Sequence, residues 1–201
     1  MSQLDPEYRS FFKETDRLLA LLSSMSAMAA LHRTLIAEIV HLRLAILLEN
    51  HMKIIFSKLC CGATYIDGSP PMLLVRQKSA AAAVAAMKTL HRAKPILLRW
   101  NDGKEIREGV KHILDPLDHS VSVIQRFGTL FTEIRYIRNH IAHKNDGTRT
   151  NFRKLLMTYY GANVPGVTSG ILLLSATVSK PPLVEVHIRQ SRTLIKEILK
   201  A

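Results

Sequence analysis

The first third of the chain has a helical pattern of apolar and polar positions. Asp5-Pro6-Glu7 is a helix start, with an acidic N-cap, a proline in the first turn and a second acid facing the dipole. No further glycine or proline occurs until Gly62. That stretch is too long for one ordinary helix, so it predicts two antiparallel helices that turn near Ser23–Arg33, where serines cluster. In the second helix, apolar residues fall at Ile36, Ile39, Val40, Leu44, Leu47, Leu48, Ile54, Ile55 and Leu59. Intervals of three and four predict an amphipathic helix with this face toward a core.

Gly62–Pro71 contains the turn residues of a loop, and Ser79 caps an alanine-rich helix running to about Ala93 and ended by Pro95. Asn101-Asp102-Gly103 predicts a turn and Lys104–Leu114 a short helix. Asp115-Pro116 then restarts the chain. From Leu117 to Lys144 the apolar positions Phe127, Leu130, Phe131, Ile134, Ile137 and Ile141 predict one long amphipathic helix, terminated by Asn145-Asp146-Gly147. A helix near Thr150–Tyr160 follows, then a Gly/Pro loop. The apolar run Gly170–Val178 predicts a strand or an apolar arm, with a short β-hairpin as one form of the segment 170–187. Pro181-Pro182 leads into a C-terminal helix ending at Lys200. The expected fold is an all-α bundle of two long antiparallel helices plus shorter ones. One domain covers 1–201, with its core at about 5–160 and a C-terminal extension at about 161–201.

Composition adds a partner class to this picture. The 28 Lys and Arg against 16 Asp and Glu give a net charge of +12, which favours polyanions such as nucleic acid. Cys60 and Cys61 are adjacent, so they form neither a disulfide framework nor a zinc box, and a reducing cytoplasm is the expected location. The apolar segment Leu18–Leu31 is shorter than the roughly 20 residues a bilayer requires. The first residues also lack the basic region of a signal peptide. No membrane association is expected.

Candidate chemistry is concentrated in Arg138-Asn139-His140-Ile141-Ala142-His143. An arginine followed five positions later by a histidine carries little information alone: with 15 Arg and 9 His the spacing occurs three times, at Arg107/His112, Arg135/His140 and Arg138/His143. Context separates them. Only Arg138 is followed by a polar Asn and leads into a basic, glycine-containing segment with Lys144, Arg149, Arg153 and Lys154. Histidine titrates near neutrality and serves as acid or base, whereas arginine stays charged and matches phosphate oxygens with a planar fork. Each residue also has a plainer explanation: His143 as a cation at a helix C-terminus, Arg138 as a surface charge or partner of Glu133, Asn139 as a polar surface residue. His140 and His143 are spaced as a metal pair, but no third and fourth ligand accompany them, so no metal and no cofactor are expected. Tyr159 and Tyr160, near basic residues, are candidates to stack a base.

The motif Arg138-Asn139-x-x-x-His143 at the end of a periodic helix, with Glu133 five residues ahead, resembles the signature of the HEPN superfamily of small α-helical proteins. The resemblance implies a metal-independent ribonuclease in which Arg138, Asn139 and His143 are catalytic, with Glu133, His140 and Arg135 in support. Lys144, Arg149, Arg153 and Lys154 would contact RNA. Five positions on a helix leave Arg138 and His143 about 140° apart, so they converge only if the last turn bends or a second subunit brings its own pair close; the resemblance implies the latter, a homodimer with a composite cleft on a two-fold axis. Host defence, or a toxin held in check by an antitoxin or other inhibitory partner, is the biology it suggests. The chain departs from the family pattern in having Ile137 where a basic residue often precedes the arginine. Asn145 stands where one toxin branch has a modifiable tyrosine. The alternative function is a basic helical module that binds RNA or protein without cutting.

Overall fold

In the computed structural model, which describes residues 4–200, Pro6 and the acids Asp5 and Glu7 form the first turn of α1 (Asp5–Ser24). Leu4, one residue earlier than expected, holds the N-cap position without a side-chain capping bond. A 3-10 turn at Met25–Ala27 reverses the chain into α2 (Ala30–Cys60), inside the predicted window. The two helices run antiparallel: Glu7 pairs with Lys58 at 2.7 Å, and the Phe11 ring meets the edge of His51 with centroids 5.1 Å apart.

α2 is the axis of the bundle. Val40, Leu44, Leu48, Ile55 and Leu59 are buried as the periodicity predicts, but Ile39 is 60% exposed and Ile54 41% exposed. Apolar residues lie on more of α2 than its neighbours cover, so a stripe of them is left in solvent.

The intermediate elements are short and side-chain capped. Ser79 caps α3 (Ala80–Thr89), which stops before the expected Ala93, and Asp102 caps α4 (Gly103–Val110). The long helix expected over Leu117–Lys144 is two helices, α5 (His119–Arg126) and α6 (Gly128–Ala142). Phe127 leaves the helical conformation between them, and Asp118 fixes the start of α5 by accepting from the Ser120 N–H at 3.0 Å. The same buried carboxylate accepts from the Tyr65 hydroxyl at 2.6 Å and the Met72 N–H at 2.8 Å, which ties α5 to the loop after α2. α7 (Asp146–Tyr160) begins earlier than predicted, because Asn145 does more than end one helix: its Oδ1 accepts from the Thr148 N–H at 3.0 Å and starts the next.

The run expected to be a strand, hairpin or apolar arm is instead a short helix, α8 (Ser169–Leu174), and no strand occurs among the described residues. Thr168 caps it, Leu172 and Leu173 are buried, and the Gly170 N–H donates to Glu38 of α2 at 2.9 Å. A run of leucines with no neighbouring strand satisfies its backbone internally as a helix. α9 (Leu183–Leu199) follows. It packs on α1, α2, α5 and α6 and buries Leu194, Ile195, Ile198 and Leu199 in the same cluster as α2. α8 and α9 therefore supply side chains to the same core as α2.

Gly170 is the tightest point of this packing. A Cβ there would lie 2.6 Å from the Thr34 carbonyl oxygen, which is backbone and cannot swing away. Gly170→Ala is expected to lower unfolding free energy by about 1–3 kcal/mol in urea titrations. Gly128→Ala, with nothing within 4 Å of the new methyl, is expected to be neutral or to stabilise by up to about 1 kcal/mol.

Candidate nucleic-acid interface

α6 and α7 form an antiparallel hairpin whose corner carries the motif. His140 stacks flat on Phe152 with centroids 4.0 Å apart, and Glu133 faces Tyr159. This register sets Arg153 level with Asn139 and Arg149 level with His143.

α6 ends at Ala142, so His143 is the residue after the helix, with extended backbone at φ −139°. Its N–H still donates to the Asn139 carbonyl at 2.8 Å, and its own carbonyl accepts from the Thr148 hydroxyl of α7. The backbone of His143 is thus held from both helices while its ring is exposed to solvent. Arg138 is half-buried and donates from Nη1 to the Asn139 side-chain oxygen at 3.1 Å. Arg138 and Asn139 therefore form a local pair, and Glu133 is not the partner of Arg138.

Around this corner Lys144, Arg149, Arg153 and Lys154 are all exposed. Arg149 reaches the fully exposed Asp146 at 3.4 Å, a surface pair of little energetic weight. The result is a cluster of solvent-facing cations on one helix and the turn before it.

The three supporting candidates are held by other groups. Arg135 pairs with Asp102 and so fastens α6 to the capped start of α4. His140 bonds through Nδ1 to the Ser169 hydroxyl at 2.8 Å, linking the hairpin to α8. Burial, with Lys144 and Arg149 nearby, holds His140 below the ordinary histidine range, which favours the neutral ring. Glu133 turns toward α9, where its Oε2 lies 3.1 Å from His187 Nε2, and the Tyr159 phenol stands beside its carboxylate. Tyr159 is partly buried there, and burial, then the adjoining Glu133, raise its phenol.

Behind Glu133 lies a polar chain that periodicity alone had concealed. His187 Nδ1 lies 3.3 Å from His41 Nε2, both rings fully buried, and His41 Nδ1 has no hydrogen-bond partner. The signal was available, since His41 falls in register with Ala37, Leu44 and Leu48 on the buried side of α2. α8 also joins the corner to the N-terminal half of α2, where Leu31, Leu35 and Ile39 are 69%, 50% and 60% exposed and Ile171 of α8 is 42% exposed. Among the described residues, no three His, Cys, Asp or Glu side chains are grouped to hold a metal ion, and no helix is long and apolar enough to cross a membrane.

No protein-family model, curated protein or solved structure matches this chain.

The buried chain has a consequence for acid stability. Burial, and then the adjoining His187, hold His41 well below the usual histidine value of 6.5. A histidine with a lowered folded-state pKa binds its proton better once unfolded, so stability rises with pH between the two values and is lost as pH falls below the unfolded one. The groups facing His41 and His187 across this network are Glu133 of α6 and Tyr159 of α7. The urea midpoint should fall as pH is lowered below about 6.5, and His41→Gln should make that decline shallower while lowering the neutral-pH midpoint.

Proposed function

We propose that this protein is a metal-independent endoribonuclease of the HEPN type that works as a homodimer. The observation that carries the reading is the α6–α7 corner: the half-buried Arg138–Asn139 pair and the exposed His143 stand beside four solvent-facing cations. RNA would lie along Lys144, Arg149, Arg153 and Lys154, with its phosphate at Arg138. A histidine takes the 2′-hydroxyl proton, O2′ attacks phosphorus, and the 5′-oxygen leaves with a proton from a second acid. The products are a 2′,3′-cyclic phosphate and a 5′-hydroxyl. Two proton-transfer groups on one phosphate are supplied most simply by two copies of His143. The exposed apolar residues Leu31, Leu35 and Ile39 of α2, with Ile171 of α8, offer a face for that self-association next to the corner.

One observation favours a second reading, a basic module that binds RNA or an inhibitory protein without cutting. The His143 ring has no hydrogen-bond partner to fix its tautomer among the described residues, whereas a catalytic base is usually oriented by one. Activity decides between them. Cleavage of structured RNA by the purified protein should persist in excess EDTA, and His143→Ala should reduce it by about 10²-fold or more. RNA affinity of His143→Ala should fall with salt, by about 0.7 in log K per log salt for each phosphate contacted. Salt-dependent binding with no cleavage would leave the binding module. Mixing Arg138→Ala with His143→Ala chains should restore part of the activity, and failure of every mixture, with the native protein active, would argue against a composite cleft.

A further inference from the structure

A cleft of about 650 Å³ opens between the C-terminal half of α2 and the outer face of α3, away from the α6–α7 corner in sequence and in its lining. Its apolar walls include Ile54 of α2 and Ala81, Val84 and Ala85 of α3, and Pro95 closes one end. The alanines account for the space: single methyl groups leave a furrow where larger side chains would close against α2. Ile54 stays 41% exposed in this wall, so the furrow presents apolar surface left open by the described residues.

The charges at the rim have one sign. Lys53 of α2 and Lys88 of α3 stand on the two helices that form the cleft, and no aspartate or glutamate lines it. A third rim lysine, Lys58, is engaged by Glu7 of α1 at 2.7 Å. A site of a few hundred cubic ångströms with apolar walls and a small number of polar groups is the form that small-molecule sites take. Lysine acts there as a point charge on a flexible stem and attracts an anion without demanding a planar fork.

We propose that this cleft binds a small amphipathic anion, a single alkyl chain of medium length ending in a carboxylate. The alkyl chain lies along the alanine face of α3, and the carboxylate sits between Lys53 and Lys88. The apolar furrow calls for the chain, and the lysines with no opposing acid call for the negative end.

Titration calorimetry of the 201-residue protein with octanoate, decanoate and dodecanoate, all below their micelle-forming concentrations and without RNA, tests the proposal. Saturable one-to-one binding is expected, strengthening by up to about fourfold per added methylene, the limit set by complete burial of each group. Decyltrimethylammonium, with the same chain and the opposite charge, should bind at least about tenfold more weakly. The double variant Lys53→Gln/Lys88→Gln should lose about tenfold in decanoate affinity. Ala85→Trp, at an exposed helix position, should fill the furrow and abolish binding while leaving the helical circular dichroism unchanged. Equal affinity for the anion and the cation, binding that survives Ala85→Trp, or no saturable heat with any chain length would each overturn it. None of these outcomes depends on ribonuclease activity.

Discussion

The imidazole of His41 lies in the middle of the longest helix with no access to water, 3.3 Å from His187 of α9. His187 reaches Glu133 of α6, and Tyr159 of α7 stands beside Glu133. Polar groups removed from water cost several kcal/mol when unpaired, so each member restricts where the next can stand. α2, α9 and α6 are joined in this way, and α6 carries the candidate site. Shifting α6 along the bundle would break the Glu133–His187 bond. The hydrophobic cluster around α2 drives collapse through a non-directional force, whereas the polar chain adds directional bonds. We infer that it sets the register of the α6–α7 hairpin against the core.

The corner inherits its geometry from that register. The inner side of α6 is committed: Glu133 is held by His187, Arg135 by Asp102, and His140 by Phe152 and Ser169. What remains for solvent is Arg138 and Asn139 in the last turns, followed by His143 just past the helix end. Termination at Ala142 matters chemically. A further helical turn would have fixed His143 at about 140° from Arg138, while the extended backbone releases it from that bearing. Asn145 stabilises the corner by capping α7, and the Thr148 hydroxyl closes it onto the His143 carbonyl. Rigid backbone with mobile polar side chains is a common arrangement for groups that must meet a ligand from solution.

The surface shows the same division between committed and free groups. Several cations are absorbed by partners, among them Arg192 with Asp16 at 2.5 Å and Arg126 with Glu197 at 2.8 Å. Those near the corner, and the pair at the α2–α3 cleft, face solvent instead. A net charge of +12 is therefore unevenly available to ligands, and part of it stands beside a polar corner and part beside an apolar furrow. Under the two proposals these settings would select different anions by the same electrostatics, one with hydrogen-bonding groups and the other with methyl groups.

Much of the helical plan was legible in the sequence, because helix starts, stops and apolar stripes are recorded within four residues of one another. Ser79 caps a helix where it was expected to, and the reversal between α1 and α2 falls among the clustered serines, whereas the capping roles of Asp102 and Asn145 went unread behind their turn signals. The candidate motif was likewise readable as residues in a row. What the sequence alone did not determine involved residues far apart in the chain. The break at Phe127, the helical form of Ser169–Leu174 and the exposure of Ile39 and Ile54 each depend on which neighbour arrives to cover or displace them. The direction of Glu133 was decided by His187, which lies 54 residues away, and the burial of His41 by the same residue, 146 away. Caps and periodicity are short-range and survive in the written sequence, whereas the satisfaction of buried polar groups is a property of the packed bundle, because removal of water is what makes those pairings compulsory.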